Sequence, residues 1–103
     1  MNFRMSFKDT PHSDFLEQKA REMSDELSRE FPETLRFEIT HTHSGDDRST
    51  HLHVTGKHVD LAASADSRSA RESVNEAFVR MRAQLRKHHD KVIFNRRREG
   101  EKV

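Results

Sequence analysis

Between Asn2 and Lys8 the apolar side chains Phe3, Met5 and Phe7 alternate with Arg4 and Ser6, the period of two that a half-buried β-strand requires. Asp9-Thr10-Pro11 breaks the alternation. A different period follows. Leu16, Ala20, Met23 and Leu27 recur at three and four residues, with Phe15 and Phe31 at the ends of the stripe, which predicts a helix over 11–30. Thr10, with Pro11 at the first helical position, and Ser13 are both suitable N-caps, and the choice between them stays open. Pro32 stops the helix. Alternation then returns three times: Leu35, Phe37 and Ile39 over 34–42, Leu52 and Val54 over 50–55, and Val59, Leu61 and Ala63 in a fourth strand. The polar stretch 44–49 and Thr55-Gly56 supply the turns, and 64–68 is a short loop.

The best-specified element runs from Ser69 to Val92. Ala70, Val74, Ala77, Phe78, Met81, Leu85 and Val92 fall on one side of a helix, with His88 filling the gap between the last two. Ser69 and Glu72 stand at capping-box spacing, and neither Gly nor Pro interrupts the run. Arg80, Lys87 and Lys91 line one flank of the apolar stripe, while Arg71, Arg82, Arg86 and His89 line the other. Glu72, Glu76, Ala83 and Asp90 lie between the two rows, furthest from the core.

The order is therefore β-α-β-β-β-α: an α+β domain whose four-stranded sheet carries both helices on one face, a layout like that of double-stranded-RNA-binding domains. Each helix has a single apolar stripe, so both must cover the same side of the sheet. The other side, with Arg4, Arg36, Glu38, His51, His53, His58 and Asp60, is polar enough to face water. One domain over 1–94 and a basic tail over 95–103 without periodicity complete the expected organisation.

Composition narrows the class. Of 103 residues 31% are hydrophobic and 36% charged, which leaves a thin core of one helical layer on one sheet. The absence of cysteine excludes disulfides and thiolate metal sites. No run approaches the roughly 18 apolar residues of a membrane span, and the N-terminus lacks the apolar segment of a signal peptide, so a cytoplasmic protein without a membrane partner is expected. The net charge of +1 conceals an asymmetry: residues 1–66 carry −5, residues 67–98 carry +7 and the last five carry −1. Segregation of this kind aims one end of a molecule at a polyanion, because each cation that meets a phosphate releases condensed counterions.

Leu52-His53-Val54-Thr55-Gly56, the short alternating strand after it, and Gln84-Leu85-Arg86-Lys87-His88-His89-Asp90-Lys91 resemble the ribosome hibernation-promoting factor and ribosome-associated inhibitor family in its short form. The likeness is good over 50–92, and the element order extends it along the chain. Asn75 and His89 stand where the family carries Asp and Lys. The resemblance implies a small cytoplasmic protein that binds the small ribosomal subunit between head and body, overlaps the mRNA channel, and silences translation under stress. It also implies that Arg80, Arg82, Arg86, Lys87 and Lys91 face ribosomal RNA. His89 on the same flank and Arg96 and Arg97 beyond the helix extend this RNA-binding set. No catalytic residue, cofactor or small-molecule substrate is implied, and a monomer is expected.

Eight histidines raise a second reading, a metal-binding stress protein, through His41-x-His43 and His51-x-His53. Strand parity opposes it: His41 and His43 share the face of Phe37 and Ile39, whereas His51 and His53 oppose Leu52 and Val54. No metal site is therefore assigned. His88 and His89 are adjacent and diverge on a helix, which suits no acid–base pair. A further alternative is a module for structured or double-stranded RNA that is not specific to the ribosome.

Overall fold

Strands β1 (Asn2–Lys8), β2 (Thr34–Ser44), β3 (Asp47–Gly56) and β4 (Val59–Ser67) form one sheet in that order, with helices α1 (Asp14–Glu30) and α2 (Ala70–Glu101). The computed structural model describes the backbone of residues 1–101 and the side chains of residues 1–91. β1 pairs parallel with β2, since helix α1 carries the chain back between them, while β2, β3 and β4 pair antiparallel. The mixed α+β fold has the order read from the sequence. Among the described residues no helix is long and apolar enough to cross a membrane.

Alternation decides the layers. Phe3, Phe37 and Val54 are register partners, as are Met5, Ile39, Leu52 and Ala63, and all point to the helical side. Leu16, Ala20 and Leu27 of α1 and Val74, Ala77, Phe78, Met81 and Leu85 of α2 close over them. Each fully buried Leu, Ile, Val or Phe in this layer contributes about 1.5–3 kcal/mol of transfer free energy, so the two stripes suffice to hold both helices on one face.

The last inward row is polar. His41 is fully buried between Phe7 and Thr50 in the register, and its Nδ1 lies 2.9 Å from Thr50 Oγ1. Thr50 Oγ1 lies 2.8 Å from Ser73 Oγ, which donates to the Ala70 carbonyl. This chain of three buried side chains ties β2 and β3 to the first turn of α2. His41 Nε2 has no hydrogen-bond partner. Burial, with help from Arg48 and His43, lowers the pKa of this histidine from its usual 6.5.

Several elements differ from the sequence reading for identifiable reasons. The register shifts between Thr34 and Arg36, so Leu35 is the extra residue of a bulge and stays 58% exposed. Thr34 turns inward in its place and donates to the Phe31 carbonyl. The β2–β3 hairpin is longer than 34–42 and 50–55, because Gly45 at φ +61° closes a two-residue turn where a six-residue loop was expected. β4 continues to Ser67, which brings Ala65 into the core beside Thr50. His58 sits at φ +62° in the β3–β4 turn rather than on the outer sheet face. Ser13 caps α1, accepting from Leu16 N, and Phe15 remains exposed where the stripe was expected to begin.

The start of α2 uses its capping residues with one addition. Ser69 Oγ accepts from Glu72 N, but the return bond is relayed: Ser69 N donates to Ser67 Oγ, which donates to Glu72 Oε2. At the far end the helix backbone runs on to Glu101, past Val92, where the apolar stripe read from the sequence ends.

Candidate nucleic-acid interface

The basic flanks of α2 are treated differently by the fold. Because α2 lies beside α1 on the sheet, the flank carrying Arg82, Arg86 and His89 meets the acidic C-terminal half of α1. Arg82 bridges Glu26 at 3.7 Å and Glu30 at 3.1 Å, and Arg86 reaches Glu30 at 3.0 Å. His89 Nδ1 lies 2.9 Å from Glu33 Oε1, with its ring edge-on to Phe31. These guanidinium and imidazole groups are therefore already engaged within the chain, and Arg86 remains 65% exposed while paired.

The opposite flank lies over β4. Arg80 donates to the Ser64 carbonyl and pairs with Glu76, and Gln84 donates to the Ala62 carbonyl. The contacts step backwards along β4 as α2 advances, so Lys87 and Lys91 run on toward the β3–β4 turn that holds Lys57 and His58. Lys57, Lys87 and Lys91 are exposed and make no ion pair among the described residues. Lys57 is the residue the sequence reading passed over. Its signal was present, since a two-residue turn after Gly56 must sit at the end of the sheet to which the last helix points.

This end of the molecule is pinned through Glu33. Its backbone carbonyl accepts from Lys57 N at 3.0 Å while its carboxylate holds His89. Glycine is required at position 56, because a Cβ there would collide with the same Glu33 carbonyl. The α1–β2 connection, the β3–β4 turn and α2 thus meet through Glu33 at the corner bearing Lys57, Lys87 and Lys91.

Of the sequence-derived set, Arg82, Arg86 and His89 share the α1 side, Arg80, Lys87 and Lys91 share the β4 side, and Arg96 and Arg97 lie outside the described side chains. The histidine pairs fall as parity requires. His41 is buried under the helices, whereas His51 binds Ser64 at 2.8 Å and His53 binds Asp60 at 2.6 Å on the outer face. Among the described residues the group of possible metal ligands that does converge is a different one: His12, Asp14 and Glu17 at the start of α1. His12 Nε2 lies 2.9 Å from Asp14 and 3.1 Å from Glu17, so the three pair with one another while His12 is protonated.

Solved structures with this fold include a ribosomal subunit interface protein from Coxiella burnetii, 17% identical, with a TM-score of 0.73 over 87% of this chain and 99% of that one. The N-terminal domain of Protein Y from Thermus thermophilus is 11% identical, with a TM-score of 0.77 over 85% of this chain and 99% of that domain. No curated protein matches the chain. A family model described as sigma 54 modulation protein / S30EA ribosomal protein matches residues 3–93, the sheet but for Asn2, all of α1 and the greater part of α2. The chain belongs to the sigma 54 modulation protein / S30EA ribosomal protein family.

Proposed function

We propose that this protein is a ribosome-associated translation inhibitor of the hibernation type, acting in the cytoplasm. It binds ribosomal RNA of the small subunit near the mRNA channel with the C-terminal half of α2. The observation that carries the reading is family membership over residues 3–93. The corner bearing Lys57, Lys87 and Lys91 supports it, because exposed cations gathered at one end of the molecule can each meet a phosphate and release its counterions. The protein works by occupancy, through charge and shape, and no step of catalysis is involved.

Lys87 and Lys91 are the primary contacts in this reading. Arg82 and Arg86 contribute by exchanging Glu30 for a phosphate, Arg80 and His89 hold the helix in place, and Arg96 and Arg97 extend the basic surface. Replacing Arg82, Arg86, Lys87 and Lys91 together by Ala weakens ribosome binding and flattens its salt dependence while the fold remains. Unchanged binding by that variant removes α2 from the mechanism. Preference for assembled subunits over free duplex RNA separates this reading from a general RNA-binding module.

A further inference from the structure

The connection between β1 and α1 is short. Asp9 turns it in a left-handed conformation at φ +56°, and Pro11 follows two residues later. This brings His12, just before the Ser13 cap, against the first turn of α1. His12 Nε2 lies 2.9 Å from Asp14 Oδ1 and 3.1 Å from Glu17 Oε2, and the three atoms all fall within 4.8 Å of one another. Phe7 of β1 meets the imidazole edge-on, with ring centroids 4.9 Å apart and planes at 66°. The ring is thus seated against the sheet, with one nitrogen turned to both carboxylates.

The proton count leaves this arrangement incomplete. A ring nitrogen carries at most one proton. Its hydrogen bond goes to Asp14, and Glu17 is held by charge alone, only while His12 is protonated. No lysine or arginine among the described residues pairs with either carboxylate. Two carboxylate oxygens therefore converge on a nitrogen whose neutral form has a lone pair to give. A divalent cation serves all three groups at once. Zinc bound at about 2.0–2.2 Å holds its ligand atoms about 3.3–3.6 Å apart in a tetrahedral site. The observed separations of 2.9 and 3.1 Å need to open by only a few tenths of an ångström to admit it.

We propose that His12, Asp14 and Glu17 form a binding site for zinc or a neighbouring divalent transition ion. Nε2 donates its lone pair, the ring proton rests on Nδ1, and the two carboxylates balance the charge of the ion. The imidazole selects this class over magnesium and calcium, which take oxygen ligands. Three protein ligands leave a coordination position for water or for an oxygen atom of a partner. Because all three belong to one short segment, binding clamps the β1–α1 connection onto the helix. The site lies beside the start of α2, since His12 and Ser69 line one cleft, and Lys87 and Lys91 belong to the other end of that helix. It stands or falls separately from the ribosome reading.

The test is calorimetric titration of untagged, chelator-treated protein with zinc and, in parallel, with magnesium, together with thermal unfolding in the same buffers. Saturable zinc binding near one-to-one stoichiometry is expected, with a higher Tm because the ion binds the folded state. Magnesium produces neither effect. H12Q and D14N/E17Q each weaken zinc binding by roughly tenfold or more, at least the loss that follows removal of an outer-shell partner. Their Tm in chelator stays near that of the wild type, since none of the three side chains is buried. H53Q, which removes the His53–Asp60 pair on the outer face of the sheet, leaves zinc binding unchanged. No saturable zinc binding, equal binding of magnesium, full affinity in either H12Q or D14N/E17Q, or an equal loss in H53Q overturns the proposal.

Discussion

Arg86 Nη2 lies 3.0 Å from Glu30 Oε1, joining the C-terminal half of α2 to the end of α1 across the helical layer. Glu30 also holds Arg82, so one carboxylate restrains two of the cations that a phosphate backbone would seek. The acidic character of α1 and the basic character of α2, which in the sequence look like separate properties, are partly one interface.

The exchange of partners at Glu30 has a measurable sign. Glu30→Gln releases Arg82 and Arg86 toward RNA while removing ion pairs that are partly exposed. Thermal stability is expected to fall by about 0.2–1 kcal/mol, and affinity for ribosomes at low salt is expected to rise. Sedimentation binding alongside thermal unfolding checks both. A fall in both quantities would mean that the Glu30 pairs position the arginines for binding rather than compete with it.

Gly56 is held by close approach. Gly56→Ala drives a methyl group into the Glu33 carbonyl, and the backbone must shift to relieve it. A loss of about 1–3 kcal/mol is expected by analogy with overpacked cores, read from urea unfolding. The same shift releases the Lys57 N–H bond to Glu33, so the amide of Lys57 should exchange with solvent faster in the variant.

His41 makes stability depend on pH. Its folded pKa lies below 6.5 because burial, Arg48 and His43 all disfavour the cation. The folded state therefore binds fewer protons than the unfolded state in this range, and the contribution is fully present above the unfolded pKa. It is lost as pH falls from about 6.5 through the lowered folded value. Denaturant midpoints measured between pH 7.5 and 5 should fall in the wild type and fall less in His41→Gln. An identical slope in the two proteins would assign the acid sensitivity to other groups.

Much of this fold was legible because alternation and helical spacing are strict. Phe37, Ile39, Leu52 and Val54 had to face one way, Leu16, Ala20 and Leu27 had to meet them, and His51 and His53 had to face the other way. What escaped was set by partners distant in the chain. Nothing near Leu35 signals the bulge that exposes it; the cause is Thr34 bonding back to Phe31 and pairing with Gly56. The equal appearance of the two basic flanks of α2 hid their different neighbours, Glu26 and Glu30 on one side and the carbonyls of β4 on the other. Parity placed His41 on the inner face, but the Thr50–Ser73 chain that makes its burial tolerable joins three separate elements.

Family membership and the Lys57–Lys87–Lys91 corner lead to one central claim, that the protein docks on the small ribosomal subunit through charge. Co-sedimentation with small subunits, large subunits and duplex RNA across a salt series tests it most directly. Saturable binding to the small subunit at near one-to-one stoichiometry, weakening steeply with salt and stronger than binding to duplex RNA, is the result the account predicts. Equal affinity for duplex RNA, or no binding to small subunits even at low salt, would contradict it.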